Sequence, residues 1–341
     1  MRNKIYILVI LFSFIISGCG EVSTNNGTIY NSTIINNGSS SNSTINSDTN
    51  NDVINTIPSD RTLKIIGKIT YDRVHVNSNG IGLDYNNITK ELSKQVIVKA
   101  IRLNGQVIAS TTTDDNGDYT LDNLPPNIDL KVQVYAQMQK SGMGGWDLKV
   151  VDNTNSNSQY VMESSSISLT DNSLRVNLNA GSGWNGSRYN SERTAAPFAI
   201  LGSIYQAMQK VLSADSSATF PALVVNWSKN NVASGNGSEA GLRDGQIITS
   251  HYDGNQQLWI LGDANGDTDE YDNHIIIHEW GHYFEDQFSR ADSIGGSHGA
   301  GDYLDIRVAF GEGWGNGWSA IVTDDPIYYD TMDIRQSNGF F

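Results

Sequence analysis

His278, Glu279 and His282 carry the clearest chemistry in the chain. They form His-Glu-x-x-His within the stretch Asn273 to Asp286. On a helix, His278 and His282 are four residues apart and share a face, with Cβ atoms about 5–6 Å apart. Two imidazoles so placed reach one zinc ion, whose nitrogen ligands stand about 2.0–2.1 Å away. Glu279 lies one step, about 100°, around the helix. There it faces a water on the metal without being a ligand, the position of a general base.

The motif needs a helix, and the surrounding residues supply one. Ile276, Trp280, Phe284 and Phe288 recur every fourth position and make an apolar stripe. Asp272 or Asn273 is suited to cap its N-terminus. Gly281 costs about 1 kcal/mol relative to Ala in a helix interior. A glycine between the two histidines therefore implies close packing or access for a ligand.

A third ligand must come from elsewhere. Glu285 and Phe288 stand where the metzincin pattern needs Gly and His, which excludes that pattern. His298 is one candidate, in the Gly-rich turn Ile294 to Gly299. The other is Glu312, in Gly311-Glu312-Gly313-Trp314. Val308, Glu312, Asn316 and Ala320 repeat at four-residue intervals and predict a second helix. Upstream, residues 197–212 read as a helix and Leu223 to Trp227 as a strand. Gly245–Tyr252 and Gln256–Asp263 read as the arms of a hairpin around Asp253-Gly254-Asn255. His251 reads as an ordinary strand histidine.

From about Gln246 to Ala320 the chain resembles the thermolysin-like and fungalysin-like zinc peptidases, the gluzincins. The resemblance rests on a strand ending in Gly262-Asp263, an acidic loop, the His-Glu-x-x-His helix and the Gly-Glu-Gly-Trp block. It implies an α+β catalytic domain with His278, His282 and Glu312 as zinc ligands and Glu279 as general base. It also implies that Gln257–Leu261 is an edge strand on which a peptide substrate lies by β-augmentation. In that family an Asp four residues after the ligand Glu supports a zinc histidine; here Asn316 stands there. Asp286, four after His282, is a second candidate support. Gluzincins continue into a helical lobe that supplies a His or Tyr for the oxyanion. Tyr328 and Tyr329 are the candidates before Phe341, and the resemblance implies a chain lacking that lobe.

Asp263, Asn265, Asp267 and Asp269 place oxygen side chains at alternate positions. Calcium loops do this because a hard cation takes 6–8 oxygens. The closing Glu of an EF-hand is missing, since His274 occupies its place. The other reading is a solvated acidic loop whose charges favour the following helix N-terminus.

The rest of the 341 residues frames this region. The formal net charge of −15 excludes a nucleic-acid partner, which would want a basic face. Residues 1–19 read as a targeting segment, with Arg2 and Lys4 before the short apolar run Ile5 to Ile16. Its end, Ile16-Ser17-Gly18-Cys19, resembles a bacterial lipoprotein signal. This implies lipidation at Cys19, the single cysteine, and a membrane partner at the bacterial cell envelope, with an outer-membrane lipoprotein facing the periplasm or cell surface. Residues 20–60, rich in Asn, Ser and Thr, read as a disordered tether. Residues 61–180 hold β-branched runs separated by turns and read as an all-β sandwich. With Gly105 to Ala109 and Thr113 to Leu121 it resembles the carboxypeptidase-regulatory-like domains, usually accessory. Asp114, Asp115 and Asp118 there read as a plain Asx-rich turn. Residues 181–341 would be the metallopeptidase domain. The expected function is a zinc-dependent endopeptidase acting on protein or peptide substrates. The alternative is a catalytically inactive cell-surface adhesion lipoprotein that retains a zinc-binding fold.

Overall fold

The computed structural model describes residues 28–31 and 62–340, apart from residues 297 and 300. The signal segment, Cys19 and most of the 20–60 tether lie outside these residues. Within the tether, Thr28–Asn31 forms a strand instead of a disordered segment, because its backbone finds a parallel partner in the sheet at Tyr160 to Glu163.

In chain order the β-rich part comprises β1 (Thr28–Asn31), β2 (Leu63–Val76), β3 (Leu83–Leu92), β4 (Val96–Arg102), β5 (Val107–Thr112) and β6 (Asp118–Leu124). It continues through β7 (Asp129–Lys140), β8 (Trp146–Asp152), β9 (Ser158–Glu163), β10 (Ile167–Ser168), β11 (Ser173–Arg175) and β12 (Leu178–Ala180). Strict alternation explains the long strands. In β7, Leu130, Val132, Val134, Ala136 and Met138 point inward and are buried, while the residues between them face out. The five-stranded sheet centres on β2, which pairs with β3, β6, β11 and β12.

The larger, ten-stranded sheet runs through both expected domains. After α1 (Ala195–Ala214), β13 (Leu223–Trp227) inserts in parallel beside β8, with Leu223 opposite Leu148. Then come α2 (Glu239–Arg243), β14 (His251–Tyr252), β15 (Gln257–Ile260), α3 (Asn273–Phe288) and α4 (Ile306–Thr323). The hairpin β16 (Asp330–Met332) and β17 (Asn338–Phe340) follows. The main sheet order is β14-β15-β13-β8-β9-β7-β4-β5. One hydrophobic core contains Ile65 and Val134 from the β-rich part together with Phe198, Ile276, Trp280 and Trp318 from the helices. The mixed α+β class thus holds, with sheet dominating, and residue 181 marks no break in the core.

Two expectations about the hairpin change. Its arms are shorter than expected, because Gly245 and Ile248 adopt positive φ of 85° and 71° and turn the chain before β14. Gln257–Ile260 is not an edge. It pairs with β13 on one side and β14 on the other, so the free edge falls on His251–Tyr252.

Candidate metal centre

α3 and α4 pack face to face, and glycines set how close they come. A Cβ on Gly281 would lie 3.4 Å from Gly315 Cα and 3.4 Å from the Trp318 ring. Gly311 in turn lies against His282 and Glu285. The helix-breaking cost of these glycines is thus repaid in proximity. Beyond the contact, Phe284, Trp314 and Trp318 stack, with Phe284 and Trp318 inclined by 7°. Trp314 Nε1 donates to the Gly281 carbonyl at 2.9 Å, pinning one helix to the other.

This packing brings His278, His282 and Glu312 together. His278 Nε2 lies 3.2 Å from Glu312 Oε2 and 3.0 Å from His282 Nε2. His282 Nε2 lies 3.6 Å from Glu312 Oε1. Two donors each about 2.0–2.1 Å from a tetrahedral zinc stand about 3.3 Å apart. The three donor atoms therefore fit that ion, and one nitrogen–nitrogen approach is too close for two protonated imidazoles. Asn316 sits where the second helix predicts. Its Oδ1 lies 2.9 Å from His278 Nδ1. Accepting there, it fixes the proton on Nδ1 and leaves the Nε2 lone pair for a metal.

The electrostatics follow from burial and these contacts. Burial alone would depress His278, but the hydrogen bond it donates to Glu312 and the charges of Glu279 and Glu312 leave it raised. Burial and then the His278 charge pull His282 down to about 4. Burial works against ionisation of Glu312, yet the His278 hydrogen bond and the neighbouring imidazoles hold it at about 2. Burial pushes Glu279 up to about 7, aided by Glu312 and opposed by His278. The Glu279 Oε2 accepts from the Tyr252 amide at 2.9 Å, which orients the carboxyl toward β14.

Other expected residues fall differently. Asp286 does not support His282; its Oδ2 accepts from Tyr252 OH at 2.7 Å and from Gln287. The helical spacing places it one turn on, but the phenol draws its side chain toward β14. His251 stacks beside Trp259 and bonds the Thr249 carbonyl. His298 comes close, with Nε2 3.3 Å from Glu312 Oε2, but stands outside the convergent trio. The Tyr328 ring meets the His278 ring at 6.0 Å, and burial, then the Glu279 charge, push its phenol well above the usual range. Tyr329 packs on His274 instead. In the acidic loop, Asp263 accepts from Asn265 N and closes a local Asx turn, and it stands outside the group of carboxylates formed by Asp267, Asp269 and Asp330. Asp267 and Asp269 turn inward. Burial, then the charges of neighbouring carboxylates, raises Asp267, and burial raises Asp269. Asp114 likewise spends its carboxylate on the Asn116 and Asp118 amides, as a plain turn does.

No protein-family model matches the chain, and no curated protein matches it. Among solved structures it is similar to a 9R-lipoxygenase from Cyanothece PCC8801, at 12% identity and a TM-score of 0.19. That match covers 51% of this chain and 27% of the lipoxygenase. A likeness at that score carries no argument about fold or function.

Proposed function

We propose that this chain is a zinc-dependent endopeptidase. The observation that supports the reading is the convergence of His278, His282 and Glu312 beside a half-buried Glu279 with a raised carboxyl. A zinc ion held by the three side chains supplies a Lewis acid that polarises a peptide carbonyl and makes water a stronger nucleophile near neutral pH. The chain's own residues do the rest. Glu279, raised to about 7, is matched to neutral operation: it takes the proton of the attacking water and returns it to the leaving amine. The Tyr252 amide holds Glu279 in place. Asn316 keeps the proton on His278 Nδ1. Tyr328 stays a phenol at neutral pH, and we assign it as donor to the developing oxyanion. The edge of β14 is where an extended peptide would add to the sheet.

The test is turnover of casein by the zinc-loaded protein, wild type against Glu279→Gln. Removing a general base costs about 10²–10⁴-fold in rate, with zinc retained. Equal rates in the two proteins, or no turnover in either with zinc bound, would reject the enzyme. We also infer attachment to the cell envelope through lipidated Cys19. Labelled fatty acid should enter wild type expressed in a bacterial host and not Cys19→Ser.

A further inference from the structure

Four aspartates meet where the loop before α3 touches β16. Asp267 and Asp269 come from the loop, Asp272 stands at the cap of α3, and Asp330 opens β16. Carboxylate oxygens of Asp267, Asp269 and Asp330 all lie within 4.8 Å of one another. Ligand oxygens around calcium stand 2.3–2.6 Å from the ion, so no two lie more than about 5 Å apart.

The surroundings are built around these oxygens. Asp269 and Asp272 are buried, at 2% and 0% exposed. Each has one oxygen held from outside. Ser250 Oγ donates to Asp269 Oδ2. Thr331 donates to Asp272 Oδ2 through its amide at 2.7 Å and its hydroxyl at 2.8 Å. The Oδ1 atoms of Asp267, Asp269, Asp272 and Asp330 are all buried, and no hydrogen-bond donor among the described residues reaches them. No Lys, Arg or His among the described residues forms an ion pair with any of the four. Nearby guanidinium groups are engaged elsewhere: Arg193 with Glu270, and Arg73 with the Tyr271 carbonyl. Opposed carboxylates whose facing oxygens are buried and unbonded are strongly unfavourable. A cation at their centre removes the conflict.

We propose that Asp267, Asp269 and Asp330 bind one calcium ion, with the buried Asp272 carboxylate adding its charge beside them, and that the ion clamps the β16–β17 hairpin to the loop before α3. The donor set is all oxygen, with no His or Cys, which selects a hard cation over zinc or copper. So many carboxylates in so little solvent also favour calcium, because magnesium keeps several of its waters. Backbone bonds already bring the partners together: Asp333 N donates to the Gly266 carbonyl at 2.6 Å and Arg335 N to Ala264 at 3.0 Å. Asp330 follows Tyr328 by two residues, so the same ion fixes the wall that Tyr328 presents to His278. The site does not rest on the peptidase reading, since it is measured without substrate or zinc.

The experiment is calorimetric titration of the full chain, stripped of metal, with calcium and separately with magnesium. Amide exchange of residues 330–340 is followed in parallel. Wild type should bind one calcium at least tenfold more tightly than magnesium, with slower exchange across the hairpin. Asp330→Asn and Asp269→Asn should weaken calcium at least tenfold, while Asp263→Asn leaves it unchanged. The wild-type titration and exchange stand by themselves if a variant fails to fold. Absence of calcium binding, equal affinity for magnesium, binding that leaves hairpin exchange unaltered, or loss of binding in Asp263→Asn would each overturn the proposal.

Discussion

A Cβ built on Gly315 would stand 2.8 Å from both Nδ1 and Cε1 of His278. Real Cβ atoms do not approach ring atoms so closely, so Gly315→Ala must push the ring or the helix aside. Overpacking of this kind costs about 1–3 kcal/mol. Gly313, on the same helix, has no atom within 4 Å of such a Cβ. Gly313→Ala should instead stabilise by up to about 1 kcal/mol through helix propensity. Urea unfolding of both variants checks the pair. Equal effects of the same sign would place the α3–α4 contact elsewhere.

Zinc stoichiometry separates the two candidate third ligands. Glu312 reaches both His278 and His282, whereas His298 pairs with Glu312 from outside the trio. Glu312→Ala should strip the ion, and His298→Ala should keep one per chain. Asn316→Ala, which frees the His278 ring, should raise the zinc dissociation constant by about 10–100-fold. Retention of metal by Glu312→Ala with loss in His298→Ala would reverse the ligand assignment.

The raised Glu279 leaves a mark on the metal-free protein. Its carboxyl sits at about 7 in the fold, above the value of about 4.3 in an unfolded chain. The folded state therefore holds the proton more tightly. This contribution to stability is complete below pH about 4 and is lost as pH rises through about 7. Glu279→Gln is neutral throughout and escapes that loss. In thermal melts of zinc-free protein, the variant should gain on wild type as pH increases. A gap that stays constant with pH would contradict the shift.

Arg193 and Glu270 form a buried pair at 2.8 Å, and Arg193 also donates to Thr268 and to the Gly262 carbonyl. Arg193→Met leaves Glu270 buried without its partner and should cost about 3–5 kcal/mol. Arg193→Met combined with Glu270→Leu should recover much of that loss, read from denaturant midpoints. A double variant no better than the single one would show that the contacts to Thr268 and Gly262 matter more than the charge pair.

What could be read from the sequence followed local periodicity. His278, His282, Glu312 and Asn316 lie on helices, where a spacing of four fixes a shared face, and these four meet. The strands of the β-rich part were legible from alternation, as in β2 and β7. Asp286 satisfied the same spacing but was drawn away by Tyr252, a partner from another element. Asp330 lies far downstream of Asp272, in a hairpin with no periodic signature, so nothing local ties it to the acidic loop. The edge position of β14 depends on β13 lying beyond β15, and parallel pairing between distant segments leaves no mark in either. The positive φ of Ile248, a β-branched residue, is the turn that residue type argues most strongly against.

The seat of β13 between β8 and β15 has a further consequence for how this protein can be handled or rearranged. A cut near residue 181 would bare the backbone of β8 on one fragment and that of β13 on the other, two sticky margins that invite self-association. The helices bearing His278 and Glu312 are therefore not a portable cassette. Grafted onto another scaffold they would need a host strand offering the register of Leu148 to Val151. Any natural shuffling of this candidate metal centre would have to carry the β-rich half along with it.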